Sequence, residues 1–297
     1  MDFNKERFVN FAKYDLAINR KFYRNLFLVT ISGALGIALL GFIIRWWLWQ
    51  TIVDDYKSEG MVESFIPSSQ TMFAWDSHGT SGFLFAFCVI MLIIFSGCWA
   101  HNLRTRQGRI IELTLPASNI EKFLWHIGLM VGGGTLLAAL SMLLADGLNA
   151  VLCLCTIPKG VEIQSLSTQI WDIITLHAVE ESITIKYICI SITLGSLLLQ
   201  IGFYIYGNAL KYKYNIILTY IAEQIISTVL FIAFLIGVTL ISHNVDTTPI
   251  PDGEGGEWIV ELMLYAFAAV EVLLAYMFVW LSYRRYVKAQ LITSLNK

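Results

Sequence analysis

The chain has 297 residues, of which 57% are hydrophobic and only 14% charged, with a mean hydropathy of +0.65 and a formal net charge of −2. A soluble domain carries roughly 25% charged residues, so this composition excludes a purely water-soluble body and requires lipid to solvate part of the surface. The near-neutral balance also excludes a global basic field of the kind that binds nucleic acid.

Residues 1–25 hold Lys5, Arg7, Lys13, Arg20, Lys21 and Arg24 with Phe3, Phe8, Phe11, Leu16, Phe22 and Tyr23 between them. Phe8, Phe11 and Asp15 fall roughly one helical turn apart, the pattern of a basic interfacial helix. The first apolar run begins near Leu26. It is too long for a signal h-region and has no small-residue cleavage pattern after it, so it is expected to be a retained first span.

Span 1 is expected from Leu26 to about Trp47, since Leu26–Ile44 alone is 19 uncharged residues, near the hydrocarbon thickness at 1.5 Å per residue. Arg45 follows and is expected to reach outward beside Trp46, Trp47 and Trp49. Residues 51–81 read as a polar loop of short helix and coil. Span 2 covers Gly82 to about Ala100. Span 3 runs from Phe123 to Ala145, with Gly128 and Gly132 spaced for close approach of another helix. Residues 146–185 contain a short apolar run, a Pro158-Lys159-Gly160 break and a second run from Ile163 to Val179. That run reads either as an amphipathic helix on the outer surface or as a re-entrant element. Span 4 covers Tyr187–Leu210, span 5 Asn215–Ile241 and span 6 Trp258 to about Tyr283, with a polar loop at residues 243–257.

Orientation follows from the basic residues. With the amino terminus inside, 16 of the 20 Lys and Arg fall on the inner side and only Arg45, Lys57, Lys159 and Lys186 do not, as the positive-inside bias requires. Trp46, Trp47, Trp49, Trp99, Trp125, Trp258 and Trp280 fall at expected span ends. The expectation is therefore an all-α polytopic protein, residues 1–297 forming one domain of six transmembrane helices with both termini cytoplasmic.

The segment from His101 to Lys122 is the principal polar connection of the first half. Ile110, Leu113 and Leu115 form a candidate apolar stripe. Pro116 stops one helix or starts the next, and Ser118 stands three residues before Glu121 as a capping box for the helix that becomes span 3. This predicts a short helix at the cytoplasmic face, a break at Leu115-Pro116, and a new capped helix. A rigid corner of that kind can pass force into spans 2 and 3; it also reads as a simple basic anchor.

The run from Arg106 through Gln107, Gly108, Arg109, Ile110, Ile111, Glu112, Leu113, Thr114, Leu115, Pro116 and Ala117 to Ser118 resembles the segment after the second span in membrane subunits of ABC-2 type exporters. The basic-aromatic amino terminus resembles that family's interfacial elbow helix, and the six-span layout is similar along the whole chain. The resemblance implies a permease subunit of an ATP-driven exporter in the bacterial cytoplasmic (inner) membrane. It implies that Arg106, Gly108, Arg109, Glu112, Leu113 and Pro116 contact a separate cytosolic ABC ATPase. It also implies a second permease subunit, identical or related, to enclose the path. The chain departs from the family pattern where residues 243–257 are short and polar, and its unusual outer segment lies between spans 3 and 4 instead. No G-x-x-x-x-G-K-S/T loop is present, and Gly132-Gly133-Gly134 has no Lys after it. ATP and Mg are thus expected on the partner chain, and this chain is not expected to be an enzyme.

Ionisable and amide groups at membrane depth mark candidate paths. Glu271 lies midway along span 6, Glu223 near the inner end of span 5 and Gln200 near the middle of span 4, making these three the candidate transport path. The five cysteines, Cys88, Cys98, Cys153, Cys155 and Cys189, form no zinc pair, and His78, His101, His126, His177 and His243 form no H-x-x-x-H motif. An intramembrane enzyme, a non-transporting adaptor or assembly subunit that docks a partner, and a secondary carrier are the competing classes.

Overall fold

Long apolar runs without internal proline become long helices, because every backbone donor and acceptor is then paired within the segment. The computed structural model describes residues 3–58, 69–100, 106–156, 165–175, 183–209, 215–246 and 257–295, and all its regular elements are helical. They are α1 (Lys5–Ile18), α2 (Arg20–Ser58), α3 (Ser69–Cys98), α4 (Arg106–Thr114), α5 (Asn119–Ile127), a π-helical turn (Gly128–Gly133), α6 (Gly134–Thr156), α7 (Leu166–Thr175), α8 (Ile183–Ala209), α9 (Asn215–Asp246) and α10 (Glu257–Leu295).

Among the described residues, five stretches are long and apolar enough to cross a membrane: Arg20–Ile52, Gly79–Cys98, Asn119–Thr156, Lys186–Ala209 and Glu261–Lys288. The chain is therefore an all-α, polytopic membrane-spanning protein. The expected span 5 corresponds to α9, in which Leu218–Leu230 is an apolar stretch among the described residues. The connection expected at residues 51–81 is largely helical where described, since α2 continues to Ser58 and α3 begins at Ser69. Span 3 does not stop at Ala145, because its helix runs on to Thr156. The Pro158-Lys159-Gly160 break, the Lys211–Tyr214 turn, the loop before Glu257, Arg104, His101 and His177 lie outside the described residues.

The chain forms two compact units. The first comprises Met1–Asp15, Ile93–Gly132 and Ala178–Lys297. Here α8 packs along α10 and carries α9 on another side. Gly202 makes the first contact close: a Cβ there would stand 2.8 Å from the Ala275 carbonyl oxygen. Phe203 meets Phe278 edge-on with ring centroids 4.9 Å apart.

The second unit comprises Leu16–Leu92 and Gly133–His177. Its core joins Ala34 and Ala38 of α2, Leu84 of α3, Ala145 of α6, and Leu166 and Ile170 of α7. Asp146 does not end its helix. It accepts hydrogen bonds from Ser165 Oγ (2.5 Å), Leu166 N (2.9 Å) and Ser167 Oγ (2.8 Å), and so caps the start of α7. α7 is amphipathic: Leu166 and Ile170 are buried, and Trp171 is exposed.

Two local expectations are corrected. Arg45 does not reach outward. It is buried, donating to Asn149 Oδ1 and to the Gly41 carbonyl. Among the described residues Gly128 and Gly132 bring no helix close, since a Cβ on either would meet nothing within 4 Å. Their run Gly128–Gly133 is wound as a π-turn, a local widening that glycine tolerates and that commonly marks functional or bent points of helices.

Candidate functional site

The corner after the second span is built as its sequence predicts. α4 ends at Thr114, Pro116 stands exposed in the break, and α5 starts at Asn119. Ser118 is extended (φ −70°, ψ 156°) and its hydroxyl accepts from Glu121 N at 3.3 Å. Glu121 Oε2 in turn accepts from Ser118 N at 2.8 Å, closing the capping box.

The second oxygen of Glu121 reaches further. Oε1 accepts from Asn4 N at 2.7 Å and from Arg7 Nη2 at 3.2 Å. Asn4 is itself the cap of α1, accepting from Glu6 N (2.9 Å) and Arg7 N (3.2 Å). One fully buried carboxylate therefore faces the amino-terminal ends of both α1 and α5, where the helix dipoles and free amides favour negative charge. A second hydrogen bond, from Trp125 Nε1 to Asp15 Oδ2 at 2.9 Å, fixes the far end of α1. Phe8 against Trp125 and Phe11 against His126 fill the interval with edge-on ring contacts.

One turn inside the corner lies a second carboxylate. Glu112 Oε1 accepts from the Tyr286 hydroxyl at 2.9 Å and stands 3.0 Å from His126 Nε2. Lys122 donates its ammonium to the Glu112 carbonyl and lies within electrostatic reach of both Glu112 and Glu121. Glu112, Glu121, Lys122, His126 and Tyr286 are all at most 3% exposed. Buried charges are tolerable only when paired and hydrogen-bonded; here Glu121 pairs with Arg7, Glu112 faces His126, and Lys122 lies within electrostatic reach of both acids. The chemistry of this cluster is to hold a shape. Trp99 completes the wall, donating to the Ile205 carbonyl of α8 at 2.9 Å and packing on Phe123 and Tyr286.

Of the residues expected to face a partner, Glu112 points inward. Pro116 is exposed and Gly108 half-buried on α4. Arg106, Arg109 and Leu113 lie on α4, but their side chains are outside the described set. Ile110 (52% exposed) and Ile111 (39%) give α4 an outward apolar edge, while Leu115 is half-buried. The sequence reading missed Asn4, His126 and Tyr286 as members. Lys122 and His126 are spaced i, i+4 on the buried face of α5, which was a local signal. Tyr286 had none.

The three acids and amides expected along a path do not converge on one point. Glu271 is buried in the α8–α10 seam, where Oε1 accepts from Ser196 Oγ at 2.8 Å. Glu223 is buried on α9 and accepts from Gln224 Nε2 (2.9 Å) and Ser227 Oγ (3.4 Å). Gln200 is half-buried on α8. Among the described residues, no three metal-ligating side chains converge.

No family model, no curated protein and no solved structure matches the chain.

Proposed function

We propose that this chain is the membrane-spanning permease subunit of an ATP-driven exporter of the ABC-2 type, seated in a bacterial cytoplasmic membrane. In this reading α9 is the sixth span, both termini and the corner face the cytoplasm, and a second permease subunit completes the path. ATP and Mg are bound and turned over on a separate ATPase. The observation that carries the reading is the corner itself: a short helix, a proline break and a capped helix, locked by buried hydrogen bonds to both ends of the chain.

The geometry suits force transfer. A partner pressing on the Ile110–Ile111 edge and Pro116 moves α4, and Glu112 ties α4 to α10 through Tyr286. Glu121 and Lys122 tie the start of span 3 to α1 and back to α4. A body held at this many buried points shifts as a unit, since packed interiors do not deform continuously. Glu112 serves here as a positioning residue, and the surface offered to the partner is Ile110, Ile111 and Pro116.

The test is purification from the native membrane in mild detergent, followed by an ATPase assay. A stoichiometric P-loop ATPase that leaves when Ile110→Asp and Pro116→Gly are combined supports the reading. A folded chain with no ATPase and no ATP turnover overturns it and leaves the non-transporting adaptor.

A further inference from the structure

The helix α8 carries Ser196, Gln200, Tyr204 and Asn208, polar side chains spaced four residues apart. Each step of four advances about 6 Å along an α-helix and turns the row by about 40°. The whole row is therefore about 18 Å long and winds from one neighbouring helix to the next. The contacts follow that winding. Ser196 meets Glu271 of α10. Tyr204 lies within electrostatic reach of Glu223 and Tyr220 of α9. Tyr204 is 4% and Asn208 9% exposed. Ser191 and Thr193, on the same helix, instead return their hydroxyls to backbone carbonyls one turn back.

The two ends of the row differ. Asn208 lies three residues beyond Ile205, whose carbonyl is bonded by Trp99 at the corner. Glu271 lies 15 residues before Tyr286 on α10, about 22 Å along the axis, and so is deep within a span. It is 5% exposed, and its Oε2 has no hydrogen-bond partner among the described residues. From α8, Gly195 and Ser196 face it, neither charged: a Cβ on Gly195 would stand 2.7 Å from Oε2 and 3.2 Å from the Ala268 carbonyl. The acid of α9, Glu223, belongs to the level of Tyr204, two turns away. A buried carboxyl oxygen without a partner carries a desolvation cost. Ionisable groups at this depth mark ion and proton pathways.

We propose that Glu271 is a proton-binding site, reached from the corner end of the first unit through the polar row of α8. The proton arrives from water at that end, passes the Asn208 and Tyr204–Glu223 level, and is taken by the Glu271 carboxylate beside the Ser196 hydroxyl. This inference requires only that the first unit spans the bilayer; it does not depend on any ATPase.

The experiment uses the full chain in proteoliposomes of mapped orientation, with separate buffers inside and outside and no ATP or ATPase. A lipid-permeant carbodiimide adds to a protonated carboxyl and leaves a mass tag at that residue. Labelling of Glu271 is expected to rise several-fold when the buffer on the corner side is made acidic, and to ignore the opposite buffer. Glu271→Gln removes the tag. Gln200→Leu and Tyr204→Phe, checked for unchanged thermal unfolding, are expected to abolish the dependence on the corner side. No labelling at any pH, labelling indifferent to side, or full sidedness retained in both row variants would each overturn the proposal.

Discussion

Tyr286 donates its hydroxyl to Oε1 of Glu112 over 2.9 Å, joining residues 174 positions apart in the chain. The bond fixes the short helix α4 to the far end of α10. It is the longest-range link of the buried cluster formed by Glu112, Lys122, His126 and Tyr286.

Replacing Tyr286 by Phe keeps the ring packing and removes one hydrogen bond, so it should destabilise the first unit by about 1 kcal/mol. Glu112→Ala should cost more, about 1–3 kcal/mol for each buried partner left unsatisfied. Thermal unfolding in detergent measures both. The double variant should fall well short of the sum, because the two changes remove the same bond.

The clamp on α1 makes a separate prediction. Ser118→Ala should cost about 1 kcal/mol, the usual value of a helix cap. Glu121→Gln should weaken the Arg7 ion pair and release α1, seen as new proteolytic cleavage between Lys5 and Ile18 while the remainder stays protected. Equal resistance in the variant and the parent would mean that α1 is held by its aromatic contacts alone.

Glycines separate into two classes. Gly202→Ala places a methyl group against the Ala275 backbone and should destabilise by about 1–3 kcal/mol, the range for overpacking. Gly128→Ala meets open space and should leave the unfolding temperature nearly unchanged. Reversal of that order would contradict the packing described for the first unit.

In the second unit Asn149→Leu removes an acceptor from the buried Arg45 guanidinium. Hydrogen bonds to charged groups are worth about 1.5–3 kcal/mol, and a loss of that size is expected in thermal unfolding. Combining it with Arg45→Met should recover part of the stability, because the buried charge goes too.

What the sequence made legible was local. Apolar run length revealed the membrane helices, Pro116 marked the break, and the Ser118–Glu121 spacing predicted a capping box found bond for bond. What it hid depended on distant partners. Arg45 at the end of an apolar run reads as a side chain reaching for water, yet Asn149, 104 positions later, holds it inside. Glu112 in a basic surface segment reads as a partner contact, yet Tyr286 and His126 turn it inward. The spacing of Gly128 and Gly132 suggested helix contact, whereas the local backbone widened into a π-turn. Periodicity reports which residues share a face, and it does not report what that face meets.

The decisive measurement for the proposed coupling is photo-crosslinking from Ile111, on the outward edge of α4, in native membranes. Leu143, exposed on α6 of the second unit, serves as the control position. A crosslink from Ile111 to a P-loop ATPase, absent from Leu143 and diminished by Pro116→Gly, is the predicted result. The same products from both positions, or no ATPase from Ile111 in a folded chain, would contradict a docking corner.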